Sequence, residues 1–252
     1  MSRQTRIALV EYYNTLPFQW TFQRINKSLN LDVRMVPPSQ CAELLKNGEV
    51  DLSLVPLGAI NEIPNAEMVT DYGIACDGEV RTVCIFSNSP LENIKTLFLD
   101  AHSRTSQKLA LILLRLYMGF KLKSEIIEIT QLGKLNASQG VLMIGDKVFD
   151  NESRYQYKYD LGAEWKKHTG LPFVFAVWMQ NAKKPVDDTL LNFLNAEFSK
   201  DVLGLDGQLM INNIDADLSF YLKRNISYEL SKSMKMGMQL FVEKMKKLES
   251  TR

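Results

Sequence analysis

The chain has 252 residues, 46% of them hydrophobic and 23% charged, enough apolar material for one large or two small cores and unlike a disordered composition. Its 30 Lys and Arg balance 29 Asp and Glu to a net charge of +1, which excludes a basic field for nucleic acid and an acidic tail. Cys41, Cys76 and Cys84 are an odd set with no CxxC pair and no histidine at ligand spacing, so they read as reduced, buried thiols and suggest neither a disulfide framework nor a zinc site.

In the amino-terminal stretch MSRQTRIALVEYYN the apolar run after the two arginines is only Ile7 to Val10 before Glu11 interrupts it. A signal peptide needs an apolar region of roughly 7 to 15 residues and a membrane span about 20. The expected location is therefore cytoplasmic, with no membrane association. The run Ile7 to Val10 predicts a strand, Phe18 to Leu29 a helix and Leu31 to Val36 a second strand, the grammar of a βαβ unit. Pro37 and Pro38 break the chain, Ser39 is placed to cap a helix through Cys41 to Lys46, and Gly48 precedes a strand over Asp51 to Val55. From Ala66 to Ser87 the pattern turns strand-like, with a turn at Cys76-Asp77-Gly78.

A second α/β set follows: a strand over Thr96 to Leu99, a helix over Arg104 to Phe120, a strand over Ile126 to Ile129 and VLMIGD at 141–146. In that helix Leu109, Ile112, Leu113, Leu116, Tyr117 and Phe120 fall on one face. After a polar stretch from Asp150 to Lys158 come a short helix at Ala163 to Lys167, a strand at Phe173 to Trp178 and a mostly helical remainder. Met234, Met238, Phe241, Met245 and Leu248 form a stripe on the last helix that is expected to pack on the body of the protein. The fold class is α/β in two lobes: residues 1–87 and 177–252 in lobe 1, and 88–176 in lobe 2. A cleft between the lobes is the expected ligand site.

Three loops at strand ends draw attention. In DAHSRTSQKLAL, Ser103, Arg104, Thr105 and Ser106 open a helix directly after a strand, more polar groups than capping alone requires. Helix-start N–H groups, hydroxyls and a guanidinium together suit a carboxylate or phosphate, although an over-capped surface helix would use the same residues. EYYNTLPF places Asn14 and Thr15 at the carboxyl end of the first strand, where open α/β sheets bind ligands; a cap followed by proline accounts for them equally well. LMIGDK puts Gly145 and Asp146 at another strand end, where the acid is a general base, a hinge contact or a helix cap. His102, beside the serine-rich loop, reads as exposed or hydrogen-bonded. GxSxG, HExxH, Walker A and GxGxxG patterns are all absent, which argues against the corresponding hydrolases, proteases and nucleotide binders.

Taken in order, EYYNTLPF, GEVDLSLVPLGAI, DGEVRTVCIFS, LDAHSRTS, LMIGD and YDLGAEWKKHTGLPFVFAVW resemble the chorismate dehydratase family of the futalosine route to menaquinone. The resemblance runs over residues 6–180. It implies a type II periplasmic-binding-protein-like fold without an export signal, and a lyase that converts chorismate to 3-[(1-carboxyvinyl)oxy]benzoate and water with no metal or organic cofactor. By the family's motifs the substrate-facing positions are Asn14, Thr15, Arg81, Thr82 and Ser103 to Ser106, with Gly145 and Asp146 at the rim or hinge. The VPLGA stretch and Thr82, where serine is common, depart from the family pattern. The expected catalytic set is Asn14 and Thr82, which hold the enolpyruvyl carboxylate as it takes the proton and the departing hydroxyl, with Asp146 as the rival base. Thr15, Arg81, Ser103, Arg104, Thr105, Ser106 and Gly145 form the expected substrate-binding set. The expected partner is the small-molecule substrate, with a homodimer left open. Two other functions compete: a non-catalytic cytoplasmic binding protein for a small carboxylate, and the 1,4-dihydroxy-6-naphthoate-forming enzyme of the same pathway.

Overall fold

Short buried runs that alternate with amphipathic segments set the order of elements. The computed structural model describes residues 4–26 and 28–250. In chain order they are β1 (Thr5–Val10), α1 (Leu16–Ile25), β2 (Leu31–Val36), α2 (Pro38–Lys46), β3 (Leu52–Pro56), β4 (Ala66–Cys76), β5 (Val83–Ser87), β6 (Thr96–Asp100), α3 (Arg104–Leu111), β7 (Lys123–Ile127) and β8 (Gln139–Ile144). There follow α4 (Lys147–Asn151), β9 (Tyr157–Asp160), α5 (Leu161–Thr169), β10 (Phe173–Asn181), α6 (Asp188–Leu203), α7 (Leu205–Ile211), α8 (Ala216–Phe220), β11 (Ser227–Glu229) and α9 (Lys232–Ser250). Among the described residues no helix is long and apolar enough to cross a membrane.

The chain divides into two compact units, one running up to Ala75 and resuming over Val174–Ser231, the other made of Cys76–Phe173 and the segment from Lys232 onward. In the first unit the sheet order is β11-β4-β10-β3-β1-β2. β1 runs parallel to both β2 and β3, with Ile7 opposite Val33 and Leu52. Every residue of β3, LSLVP, is buried, as expected of a strand covered on both faces. Its core is aromatic: Trp178 stacks on Phe198 at 5.4 Å between ring centroids, and Phe18 meets Phe198 edge-on at 4.7 Å. Arg24 on α1 forks onto Glu197 and Asp201 of α6, both nearly buried, and the Thr21 hydroxyl donates to Asp201 at 2.5 Å. This closed network pins α1 to α6 and holds each buried carboxylate against a partner.

The second unit has the sheet order β7-β6-β8-β5-β9, with β6 parallel to β7 and β8, and β5 antiparallel to β8 and β9. One face is closed by Cys84, Phe86, Val141, Met143 and Val148, with Phe98 and Tyr155 packed against them. Trp165, Phe173 and Phe241 form a second cluster, with Phe173 and Phe241 at 5.0 Å and the Trp165 indole donating to the Pro172 carbonyl at 3.2 Å. A Cβ at Gly237 would lie 2.1 Å from that same Pro172 oxygen, so α9 approaches this far only because the position is glycine.

Several boundaries differ from the sequence expectation. The units exchange at Ala75/Cys76 and Phe173/Val174, not at 87/88 and 176/177, because the loop from Asp77 to Thr82 is hydrogen-bonded to Asp160 in the second unit. The last helix joins the second unit: its stripe buries Met234, Gly237, Phe241, Met245 and Leu248, and Met238 is half-buried. α1 starts at Leu16 and ends at Ile25, and α2 starts at Pro38 with Pro37 at the cap, so Ser39 does not cap it. α3 gives way at Ile112 to a π-helical turn through Tyr117, which leaves Leu116, Tyr117 and Phe120 only half-buried. β9 starts at the end of the stretch read as polar and runs two residues past it, and β11 lies in the tail read as helical.

Candidate functional site

Parallel strands deliver their carboxyl ends, and the helices that follow, to one edge of a sheet. In the second unit β6 ends at Asp100 and β8 at Ile144, and Leu99 lies opposite Leu142. Antiparallel β5 begins at the same edge, with Val83 opposite Ile144, and the Gly145 N–H donates to the Thr82 carbonyl at 2.9 Å. β9 ends there too, at Asp160, opposite Cys84. The edge therefore gathers Arg81, Thr82, Ser103 to Ser106, Gly145 and Asp146. Asn14 and Thr15 belong to the other unit.

The β6–α3 loop is built on Asp100, whose side chain is fully buried. Its Oδ1 accepts the His102 N–H at 3.1 Å, and its carbonyl accepts the Gln107 side-chain amide at 2.7 Å. Lys147, the first residue of α4, brings Nζ to 2.5 Å from Asp100 Oδ2, an ion contact rather than an aligned hydrogen bond. Lys147 thus ties the strand end carrying Gly145 to the one carrying the serines, and places an ammonium among them. Ser103 caps α3 by accepting the Ser106 N–H at 3.0 Å, and Ser103, Thr105 and Ser106 are all buried. Arg104, at the first helical position, is half-buried. His102 sits at the rim with Nε2 3.0 Å from Glu128.

Arg81 holds a left-handed backbone, φ +67°, a conformation that costs a non-glycine residue about 1–2 kcal/mol. The Asp160 carboxylate holds it there: Oδ2 accepts the Arg81 N–H at 2.6 Å, while Oδ1 accepts those of Val80 at 3.1 Å and Ala163 at 2.9 Å. Burial pushes the Asp160 carboxyl above its ordinary pKa, and the three N–H groups pull it back part of the way. The Arg81 guanidinium lies over the Phe149 ring, 4.8 Å from its centre, and 3.7 Å from Glu152. Thr82 is buried beside it. Asp146 starts α4 with helical dihedrals and no side-chain cap, and Gly145 before it has φ +69°, the conformation that turns the chain from strand to helix.

In the first unit, Asn14 lies half-buried in a 3₁₀ turn over Tyr13–Thr15 that follows β1. Thr15 is fully buried; its hydroxyl lies 2.6 Å from the Val10 carbonyl and 2.8 Å from that of Tyr12, and accepts the Gln19 amide at 2.9 Å. That hydroxyl braces the turn that carries Asn14.

The second unit's edge is thus rich in cations and hydroxyls, suited to anionic oxygens. Among the described residues no group of three His, Cys, Asp or Glu is arranged to hold a metal ion. Sequence inspection did not single out Lys147 or Asp100, whose pairing spans two loops, and it gave Asp160 no role in shaping the Arg81 loop. A lysine directly after a strand-end Gly-Asp was the only local signal.

Known proteins are similar to this chain in sequence and in overall fold. A curated chorismate dehydratase of Thermus thermophilus is 27% identical over 82% of this chain and 83% of its own length. One of Campylobacter jejuni is 24% identical over 95% of this chain and 96% of its own. Among solved structures, a protein from Archaeoglobus fulgidus superposes with a TM-score of 0.76 at 10% identity, covering 100% of this chain and 99% of its own. The periplasmic aliphatic sulphonate-binding protein of Escherichia coli gives a TM-score of 0.65 at 16% identity, covering 100% and 94%. The fold is therefore of the periplasmic-binding-protein kind. Because residues 5–247 match the family described as menaquinone biosynthesis, the chain belongs to that family.

Proposed function

We propose that the protein is a chorismate dehydratase, a hydro-lyase that converts chorismate to 3-[(1-carboxyvinyl)oxy]benzoate and water. The observation that carries this reading is the guanidinium- and hydroxyl-rich edge of the second unit in a chain whose curated relatives bear that name. Chorismate has two carboxylates. Ser103, Arg104, Thr105 and Ser106 at the start of α3 clamp one of them, and Arg81 with the Gly145 loop serves the other.

The reaction removes the proton from the ring carbon bearing the enolpyruvyl ether and hydroxide from the neighbouring carbon; together they leave as water, and the ring becomes aromatic. The balance is redox-neutral and strongly downhill, so the demand on the protein is positioning and charge placement. In this reading the substrate's enolpyruvyl carboxylate takes the proton. Thr82 holds the departing hydroxyl, and in the first unit Asn14, on the turn that Thr15 sets, is the candidate polar contact. Asp146 is the competing base. The enzyme is expected to work in the cytoplasm.

The test is direct: purified protein is incubated with chorismate, and substrate loss and benzoate product are followed by chromatography. Stoichiometric product supports the dehydratase. Saturable binding with no product would replace it with a carboxylate-binding protein, and indifference to chorismate would remove both.

A further inference from the structure

The sheet of the second unit has a cavity at its other edge, where β6 and β7 begin, of about 1030 Å³. That is the upper end of the ~300–1000 Å³ typical of small-molecule sites. Leu116, Phe120, Leu122 and Leu248 give it an apolar lining. Lys95, Arg115, Lys121 and Lys123 also line it, and no acidic residue does so among those described.

The cations are held close by the backbone. The Lys123 N–H donates to the Lys95 carbonyl at 2.8 Å, and the Lys95 N–H to the Ser138 carbonyl at 2.8 Å, so two lysines stand at adjacent strand starts. Like charges on neighbouring strands repel. Arg115 is fixed at the wall by donating to the Leu122 carbonyl and the Ser124 hydroxyl, each at 3.3 Å. Glu249, next to the lining residue Leu248, is not itself in the lining and pairs with Lys108 at 3.5 Å. In a chain of net charge +1, a concavity lined by four cations and by no acid among the described residues is an unbalanced feature.

We propose that this cavity binds an amphipathic organic anion, its head between Lys95, Lys123 and Arg115 and its apolar body on Leu116, Phe120 and Leu248. The inference rests on the second unit alone and stands or falls independently of the proposed dehydratase activity. The probe is 8-anilinonaphthalene-1-sulfonate, titrated by fluorescence against the full-length protein. One molecule is expected to bind per chain, and the double charge reversal K95E/K123E, at exposed positions, is expected to weaken it about tenfold or more, with R104A leaving it unchanged. Affinity within about twofold of the parent in K95E/K123E overturns the proposal, as does loss of binding in R104A. A competition on the unmodified protein needs no variant: octanoate is expected to displace the probe and octanol to fail, and equal displacement by both overturns the role assigned to the cations.

Discussion

Asp160 closes β9 by accepting the N–H of Arg81 at 2.6 Å, a contact across 79 positions of sequence that fixes the backbone from which Arg81 projects. The same carboxylate caps α5, so strand, helix and loop share one acceptor group.

Asp160→Asn keeps the shape but replaces one acceptor oxygen with an N–H₂ facing backbone donors. Unfolding free energy from urea titration is expected to fall by about 2 kcal/mol. The pH dependence has a definite sign. Because the folded carboxyl titrates above its unfolded value of 3.8, the native state binds the proton more tightly. Asp160's contribution is then greatest below that value and declines as pH rises to the raised folded pKa. The variant should lack this decline; an identical stability–pH curve in both proteins would contradict it.

Lys147→Met leaves the fully buried Asp100 carboxylate without its cation. Breaking a buried pair costs ~3–5 kcal/mol, and the partial exposure of Lys147 brings the expected loss to about 2 kcal/mol. In a double-mutant cycle with Asp100→Asn, the two losses should be strongly non-additive. Additive losses would show that the two side chains do not interact.

Gly237→Ala forces a methyl group against the Pro172 carbonyl oxygen. A destabilisation of about 3 kcal/mol is expected, visible as a lower thermal midpoint. A midpoint unchanged from the parent would mean that α9 does not pack this closely.

All three thiols are buried, and burial pushes their pKa values up, that of Cys41 to about 12. At pH 8 the folded protein should therefore consume almost no thiol reagent, and three equivalents on denaturation. Rapid labelling of any thiol in the native protein would contradict this burial.

Two substitutions address the proposed chemistry. Arg104→Ala should weaken chorismate binding by about 2 kcal/mol or more in calorimetry, and unchanged affinity would remove Arg104 from the site. Asp146→Asn should retain most turnover if the substrate supplies the base; a collapse of kcat with binding and folding intact would make Asp146 the base.

Much of this was legible along the chain. β1, β3, β6 and β8 hold short apolar runs and β2 alternates apolar with charged residues, while the loops that follow β6 and β8 and the one before β5 carry the polar residues of the candidate edge. β9, YKYD, was missed because its half-buried residues give no apolar run; it is a strand because it pairs with β5. The stripe on α9 was visible, but periodicity defines a face without naming what covers it, and contact with Pro172 and Trp165 decides that. The Lys147–Asp100 and Asp160–Arg81 contacts join residues far apart in sequence, so local spacing was silent on them.

The last helix has a consequence for how the polypeptide is made. The first unit has all its segments once Ser231 has emerged from the ribosome, but the second awaits α9. With synthesis proceeding at roughly 5–20 residues per second, the nascent second unit spends several seconds with Trp165 and Phe173 lacking the Phe241 that covers them. Truncations or stalled chains ending before α9 are therefore the forms most exposed to chaperones and to aggregation.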